Sequence, residues 1–270
     1  MSEVAMGDAA MTNLAMQQVA TPSATHLLEA VGVTKKFGAN VVIENLSIGF
    51  APGMLHSILG PNGAGKTTLF NLLTRDLPVT AGEILLRGER ITAMKPHQIA
   101  RLGVGRSYQI SSVYLDLSFL DNVWLAAYRA RHGGRMGWWK RVGSYGEIRD
   151  QACEVLEKLG LIGFRDLPAK AVSYGDQRLL EIAVTLATNP DILLLDEPTA
   201  GLSQRETERV KRFIESIKQQ YLIVMIEHKM NVVMEISDRV HVMNRGTLIA
   251  SGTAAEISRD EAVHRAYFGL

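Results

Sequence analysis

The sequence is short of cysteine, of long apolar runs and of excess charge of either sign. Cys153 is the single cysteine in 270 residues, which excludes an internal disulfide framework and any CxxC redox or zinc site and fits a reducing compartment such as the cytoplasm. No Lys or Arg occurs in the first 34 residues, so the start lacks the basic region of a secretory signal. The most apolar stretches, 192–195 and 221–226, fall far short of the roughly 18 residues of a membrane span, so a membrane role is expected only through a partner. Against 29 Lys and Arg stand 28 Asp and Glu, and a net charge of +1 advertises no nucleic acid or anionic lipid surface. No internal repeat of fixed period is present, and 47% hydrophobic with 21% charged residues is globular usage, not disordered, collagen-like or coiled-coil usage.

What is present is enough chain for one large domain or two lobes, at about 150 residues per domain. Residues 1–26, rich in Ala, Met, Thr and Ser, are expected to be a disordered leader, with an amphipathic helix as the alternative. From residue 27 onward β-like runs at 27–33, 41–48 and 54–59 alternate with Gly, Asn and Pro breaks. Residues 66–73 then follow helical spacing, with Leu69, Leu72 and Leu73 on one face. A further strand is predicted at 83–86, and helical periodicity dominates from there to about residue 188, with helices at 120–131, 146–159 and 177–187. The stretch 131–146, with five glycines, reads as loop. Continuous apolar runs at 191–195 and 221–226 read as parallel strands covered on both faces, with an amphipathic helix at 204–219 between them. Runs at 240–243 and 247–250 around Asn244, Arg245 and Gly246 predict a hairpin, and a helix over 254–267 closes the chain. The order implies an α/β sheet domain interrupted by a helical lobe.

Gly60, Pro61, Asn62, Gly63, Ala64, Gly65, Lys66 and Thr67 match G-x-x-x-x-G-K-[ST] between a predicted strand and a predicted helix. Glycines there let successive backbone N–H groups converge on phosphate oxygens, Lys66 reaches the outer phosphates, and Thr67 is placed for Mg²⁺. Asp196 and Glu197 end a buried strand, where ligands of open α/β sheets sit. Asp196 can hold Mg²⁺ through water and Glu197 can polarise an attacking water as general base; a solvated turn before Pro198 is the bland alternative. His228 follows the strand at 221–226, and Gln109 lies where the β region meets the helical lobe; either residue taken alone is a weak signal.

Ser173, Tyr174 and Gly175 open a helix, with Ser173 as N-cap, and read either as a second anion-binding helix start or as a capped helix and nothing more. Phe37 before Gly38 suits stacking on a flat base, a core position or a turn aromatic; Trp138 and Trp139 suit a partner surface or a loop anchor. Cys153 reads as a packing residue.

As an ordered set, the phosphate loop, Gln109, the Ser173 helix start, the Asp196–Glu197 pair and His228 resemble the nucleotide-binding subunits of ABC transporters, over about residues 27–270. Arg106-Ser107-Tyr108-Gln109, Ser-Tyr-Gly at 173–175, Glu227-His228-Lys229-Met230 and the Tyr267-Phe268-Gly269 ending resemble the branched-chain, or hydrophobic, amino-acid importer type; urea importers share much of this. The resemblance implies an α/β P-loop NTPase (RecA-like) core, residues 27–108 and 189–270, with a β-subdomain and an inserted α-helical subdomain at 109–188. It implies ATP bound by Phe37, by Gly60 through Thr68 and by Ser173 and Gly175, with Mg²⁺ held by Thr67, Gln109 and Asp196. Glu197, His228 and Gln109 would serve hydrolysis. Implied partners are a second ATPase subunit packed head to tail, so that Ser173 and Gly175 meet the γ-phosphate in trans, and transmembrane permease subunits. An external substrate-binding protein would act indirectly, no nucleic acid is expected, and the place is the cytoplasmic face of the plasma membrane, peripherally.

Asp176 stands where the family usually has Gln, which puts a carboxylate near a phosphate; Ser203 replaces a common Asp, and Val184 a common Arg. A urea or amide importer and a lipopolysaccharide-export ATPase are the neighbouring alternatives, with Arg106 to Gln109 favouring uptake. A soluble ABC ATPase acting on DNA or ribosomes would bring a coiled-coil insertion, zinc modules or a second cassette. A small-molecule P-loop kinase would have no use for the Ser173 helix or His228.

Overall fold

A computed structural model describes residues 26–107, 113–133 and 146–268. In chain order β1 (Leu28–Phe37) and β2 (Asn40–Phe50) form a hairpin, followed by β3 (Leu55–Leu59), α1 (Lys66–Leu73), β4 (Ala81–Leu86), β5 (Glu89–Arg90), α2 (Pro96–Arg101) and β6 (Val104–Ser107). Then come α3 (Phe119–His132), α4 (Gly146–Lys158), α5 (Tyr174–Leu186), β7 (Ile192–Asp196), α6 (Gln204–Ile217), β8 (Leu222–Ile226) and α7 (Met230–Ile236). Strands β9 (Arg239–Asn244) and β10 (Thr247–Gly252) and helices α8 (Ala254–Ile257) and α9 (Glu261–Phe268) complete the order.

Two sheets result. An antiparallel one runs β2-β1-β4-β5, and a six-stranded one runs β10-β9-β3-β8-β7-β6, parallel throughout except for the β9–β10 hairpin. The continuous apolar runs of the central strands follow from burial on both faces. In β7, Leu193 and Leu195 join the core shared with α3, α4, α5 and α6, whereas Ile192 and Leu194 join the core shared with α1 and the antiparallel sheet. β8 divides the same way, with Ile223 and Met225 on one side and Leu222, Val224 and Ile226 on the other.

Several elements depart from the sequence expectations. β6 lies in a stretch whose periodicity predicts helix, because four residues carry no period of their own and the partner β7 lies beyond α5. The closing helix is two helices: α8, capped by Thr253 with Glu256, and α9, where Asp260 Oδ1 accepts from Ala262 N at 2.8 Å and Val263 N at 3.1 Å. α5 begins at Tyr174, not residue 177, because Ser173 caps it. The predicted leader, apart from His26, and Trp138 and Trp139 lie outside the described residues. Cys153 is half-buried against the helical side of the core.

The strand that feeds the phosphate loop is joined to its neighbour by a buried imidazole pair. His56 of β3 and His241 of β9 stack with centroids 5.3 Å apart and Nδ1 to Nε2 at 3.0 Å, and Phe50 meets both rings edge-on. Ser251 Oγ lies 2.9 Å from His241 Nδ1. Burial lowers the His56 pKa from 6.5 to about 4 and that of His241 from 6.5 to about 3, the latter helped by repulsion from His56. Both rings are therefore neutral in the folded protein at pH 7. Their contribution is complete above the unfolded pKa near 6.5 and is lost as pH falls towards the folded values. In that window the unfolded chain binds more protons, so each histidine removes up to about 1.4 kcal/mol of stability per pH unit. The urea midpoint is expected to fall steeply between pH 6.5 and pH 5, and His241→Asn to lower the midpoint at pH 7 while flattening that slope. A wild-type midpoint independent of pH across this range would refute the account.

Candidate functional site

β3 ends at Leu59, and the chain turns through Gly60 to Gly65 into α1. A Cβ on Gly60 would lie 2.4 Å from the Met243 carbonyl oxygen and 2.9 Å from Ala64 Cβ, so only glycine lets the loop pass under β9. Gly65 takes φ +97° and precedes α1 without a side-chain cap, leaving the first backbone N–H groups of the helix for another acceptor. Lys66 is buried, and its Nζ donates to the Gly60 and Pro61 carbonyls at 2.6 and 3.1 Å. Burial pulls the Lys66 pKa down, while Glu197 and Asp196 oppose the shift, so both carboxylates lie within electrostatic reach of the ammonium.

Asp196 is buried at the end of β7. One oxygen, Oδ2, accepts from Arg106 Nη2 at 3.1 Å; the other, Oδ1, is buried with no hydrogen-bond partner among the described residues. Desolvation raises its pKa and the Arg106 guanidinium counters this. Arg106, on β6, also reaches Asn71 Oδ1 at 2.6 Å, Asp76 Oδ2 at 3.2 Å and Thr74 Oγ1 at 3.3 Å, so one side chain ties the sheet, the end of α1 and Asp196 together. Glu197, the next residue, leaves the strand at φ +50°, a region that non-glycine residues rarely enter. That turn brings its Oε1 to 2.7 Å from His228 Nε2, while its N–H donates to the Ile226 carbonyl at 2.9 Å.

A second helix start carries its own polar network. Ser173 Oγ accepts from Asp176 N at 3.2 Å and donates to Asp176 Oδ2 at 2.8 Å, and Asp176 Oδ1 is bound by Arg209 of α6. Gly175 N donates to Glu206 Oε1 at 3.1 Å, and Glu206 Oε2 accepts from Ser203 N and Oγ at 3.0 and 2.7 Å. The hydroxyl of Ser203 holds the Glu206 carboxyl below the usual carboxylate range, with further help from its backbone and from Gly175. The carboxylate of Asp176 is therefore turned towards Arg209, and the acidic group on the Gly175 N–H is that of Glu206.

The phosphate loop follows β3, Asp196 ends β7 with Glu197 next, and His228 comes shortly after β8; these strands are adjacent and parallel, so all these residues share one edge of the sheet. Phe37 ends β1 with its ring half exposed and Lys35 Nζ 4.8 Å from its centroid, a surface aromatic and not a core one. Thr67 is exposed and Thr68 half-buried in the first turn of α1. Gln109 lies outside the described residues. Arg106, Glu206, Arg209 and Glu227 are participants that their residue types alone do not single out. Glu206 had a signal, the Ser-x-x-Glu capping box beginning at Ser203.

Comparison with known proteins agrees with this arrangement. The family described as ABC transporter matches residues 43–200, and that described as branched-chain amino acid ATP-binding cassette transporter matches residues 247–269. The chain is 38% identical over 249 residues to the high-affinity branched-chain amino acid transport ATP-binding protein LivG of Escherichia coli K12, covering 90% of this chain and 98% of that one. To BraF of Pseudomonas aeruginosa, which carries the same description, it is 36% identical at the same coverage. The crystal structure of the ADP conformation of MJ1267, an ATP-binding cassette of an ABC transporter, superposes with a TM-score of 0.81 at 26% identity, covering 91% of this chain and 99% of that one.

The packing around the loop yields a stability prediction. Gly60→Ala is expected to destabilise by about 1 to 3 kcal/mol, the cost of overpacking against backbone, read as a lower urea midpoint with unchanged slope. A midpoint equal to wild type would show that the loop does not depend on this close approach.

Proposed function

The chain belongs to the ABC transporter family, among its branched-chain amino acid ATP-binding proteins, and we propose how its residues capture and hydrolyse ATP and what that hydrolysis drives. The observation that carries the reading is the meeting of Lys66, Asp196, Glu197 and His228 at one sheet edge, with Glu197 and His228 already in contact.

Lys66, held by the loop's own carbonyls, swings outward to the β- and γ-phosphates, where the backbone N–H groups at the start of α1 also point. Phe37 stacks on adenine, its exposed ring supporting that role. The Oδ1 of Asp196, buried and without a partner among the described residues, fits a cation, and Asp196, Thr67 and Gln109 would hold Mg²⁺. When bound, Mg²⁺ would neutralise phosphate charge. Glu197 takes a proton from water as the water oxygen bonds to the γ-phosphorus and the bridging oxygen departs with ADP. His228 orients Glu197 through the 2.7 Å contact and lies beside the γ-phosphate.

Ser173 and Gly175 serve a second cassette in trans. The γ-phosphate of that cassette's ATP takes over the Gly175 N–H from Glu206, and pairing with Arg209 keeps Asp176 from opposing it. The division into a core, 27–108 and 189–270, and a helical insertion, 109–188, belongs to the same proposal.

Among the described residues no helix is long and apolar enough to cross a membrane, so transport is assigned to permease subunits on which the cassettes sit at the cytoplasmic face. The cargo we assign is branched-chain or other hydrophobic amino acids, delivered by an external binding protein. Closure on ATP and reopening after hydrolysis would rock the permease between its two states.

Glu197→Gln is expected to retain ATP binding and lose steady-state hydrolysis by roughly 10²-fold or more, as loss of a general base does. Lys66→Ala is expected to lose nucleotide binding itself, measured by titration with a fluorescent ATP analogue. Undiminished turnover in the first variant, or wild-type affinity in the second, would sink the assignment of that residue. Purification from native membranes in mild detergent is expected to recover multi-span subunits with the chain, whereas recovery of ribosomes or DNA-processing proteins would overturn the transport reading.

A further inference from the structure

Glu227 stands between β8 and His228 and is only 2% exposed. Its Oε1 accepts from Thr199 N at 2.9 Å and Thr199 Oγ1 at 2.6 Å; its Oε2 accepts from His228 N at 3.0 Å and Lys229 N at 3.4 Å. Thr199 is fully buried, and its carbonyl accepts from Lys229 Nζ at 3.0 Å. Thr199 follows Glu197 by two residues, and His228 follows Glu227 directly. The two loops are thus clamped at two points, Thr199 to Glu227 and Glu197 to His228, which closes a ring through the hydrolytic pair.

The ring matters because Glu197 has φ +50°. A rarely adopted backbone conformation persists where its surroundings over-determine it, and the carboxylate of Glu227 supplies four such restraints on the adjoining segments. All four partners are donors, so both oxygens must accept. Glutamine at this position would turn its NH₂ against either the Thr199 pair or the His228 and Lys229 N–H groups, opening one side of the clamp while keeping its size.

We propose that Glu227 is a positioning residue for ATP hydrolysis, holding the Thr199 segment against the His228 segment and so keeping His228 on Glu197. It touches neither reacting atom. The inference rests on the roles given above to Glu197 and His228, and it adds that the clamp sets turnover while leaving nucleotide binding to the phosphate loop. The segment from Thr199 runs through Ser203 to Glu206, which bonds Gly175, so the same clamp also links the hydrolytic pair to the second helix start.

The test uses the full chain, purified with the subunits that accompany it, as wild type, Glu227→Gln, Thr199→Val and Thr199→Ser. Steady-state hydrolysis against ATP concentration, binding of a fluorescent ATP analogue and thermal midpoint are measured for each. Glu227→Gln is expected to lower kcat about tenfold or more, the scale of a lost buried bond to a charged group, with KM and analogue affinity within about twofold of wild type. Thr199→Val is expected to lower kcat in the same sense, and Thr199→Ser, which keeps the hydroxyl, to restore it. Both variants are expected to lower the thermal midpoint, since a buried bond is lost; a merely structural role would move analogue affinity together with kcat, and that result overturns the proposal, as does a Glu227→Gln kcat within twofold of wild type. If Glu227→Gln does not fold, the Thr199 pair decides: wild-type turnover in Thr199→Val overturns the clamp, and loss with rescue by serine supports it. A folded wild type that binds but does not hydrolyse ATP overturns the ATPase reading, and the inference with it; normal wild-type hydrolysis with unaffected variants overturns the inference alone.

Discussion

One row of the parallel sheet governs the rest of the site. Ile226 pairs with Ile58 of β3 on one side and with Asp196 of β7 on the other, so three strands end at one level. Gly60, Glu197 and His228 come one or two residues past that row, which places the phosphate loop, the acidic pair and the histidine at one edge. A slip of one residue in either pairing would exchange the two faces of a strand and move its apolar side chains into the wrong core. Burial on both faces, with Leu193 and Leu195 on one side and Ile192 and Leu194 on the other, is what makes the register unique.

Around that row, charge is kept under cover at a cost that local partners offset. Lys66, Arg106 and Asp196 are all largely removed from water, and burial pulls the lysine's pKa down and pushes the aspartate's up. Lys66 is held by two carbonyls, and Asp196, among the described residues, by a single guanidinium on one of its oxygens. Buried charge of this kind is poor for stability and is a mark of functional sites. Away from the site, the two buried neutral histidines show the same desolvation used differently, to join β3 and β9 near neutral pH.

The second helix start illustrates how a local reading can invert. From sequence, Asp176 is an unwelcome carboxylate near a phosphate; in the fold Arg209 of α6 neutralises it, and Glu206 holds the Gly175 N–H. Ser203, where an Asp is common, is the cap of α6 and the anchor that presents Glu206. Neither partner is near Asp176 in the chain, so no pattern around residues 173–177 reveals them.

The sequence by itself determined the glycine-rich loop after β3, the helix that follows it, the acidic end of β7, the position of His228 past β8 and the hairpin at Gly246. These depend on turn chemistry, apolar runs and motif spacing, which are local. It could not place β6, whose four residues are a strand only because β7 accepts their hydrogen bonds, nor divide the closing helix at Asp260. The tertiary structure alone decided that Arg106 meets Asp196, that Arg209 meets Asp176, and that Glu227 bonds Thr199. Those contacts join residues remote in the chain, where the energy of pairing buried polar groups is set by which strands and helices become neighbours and not by any residue's immediate surroundings.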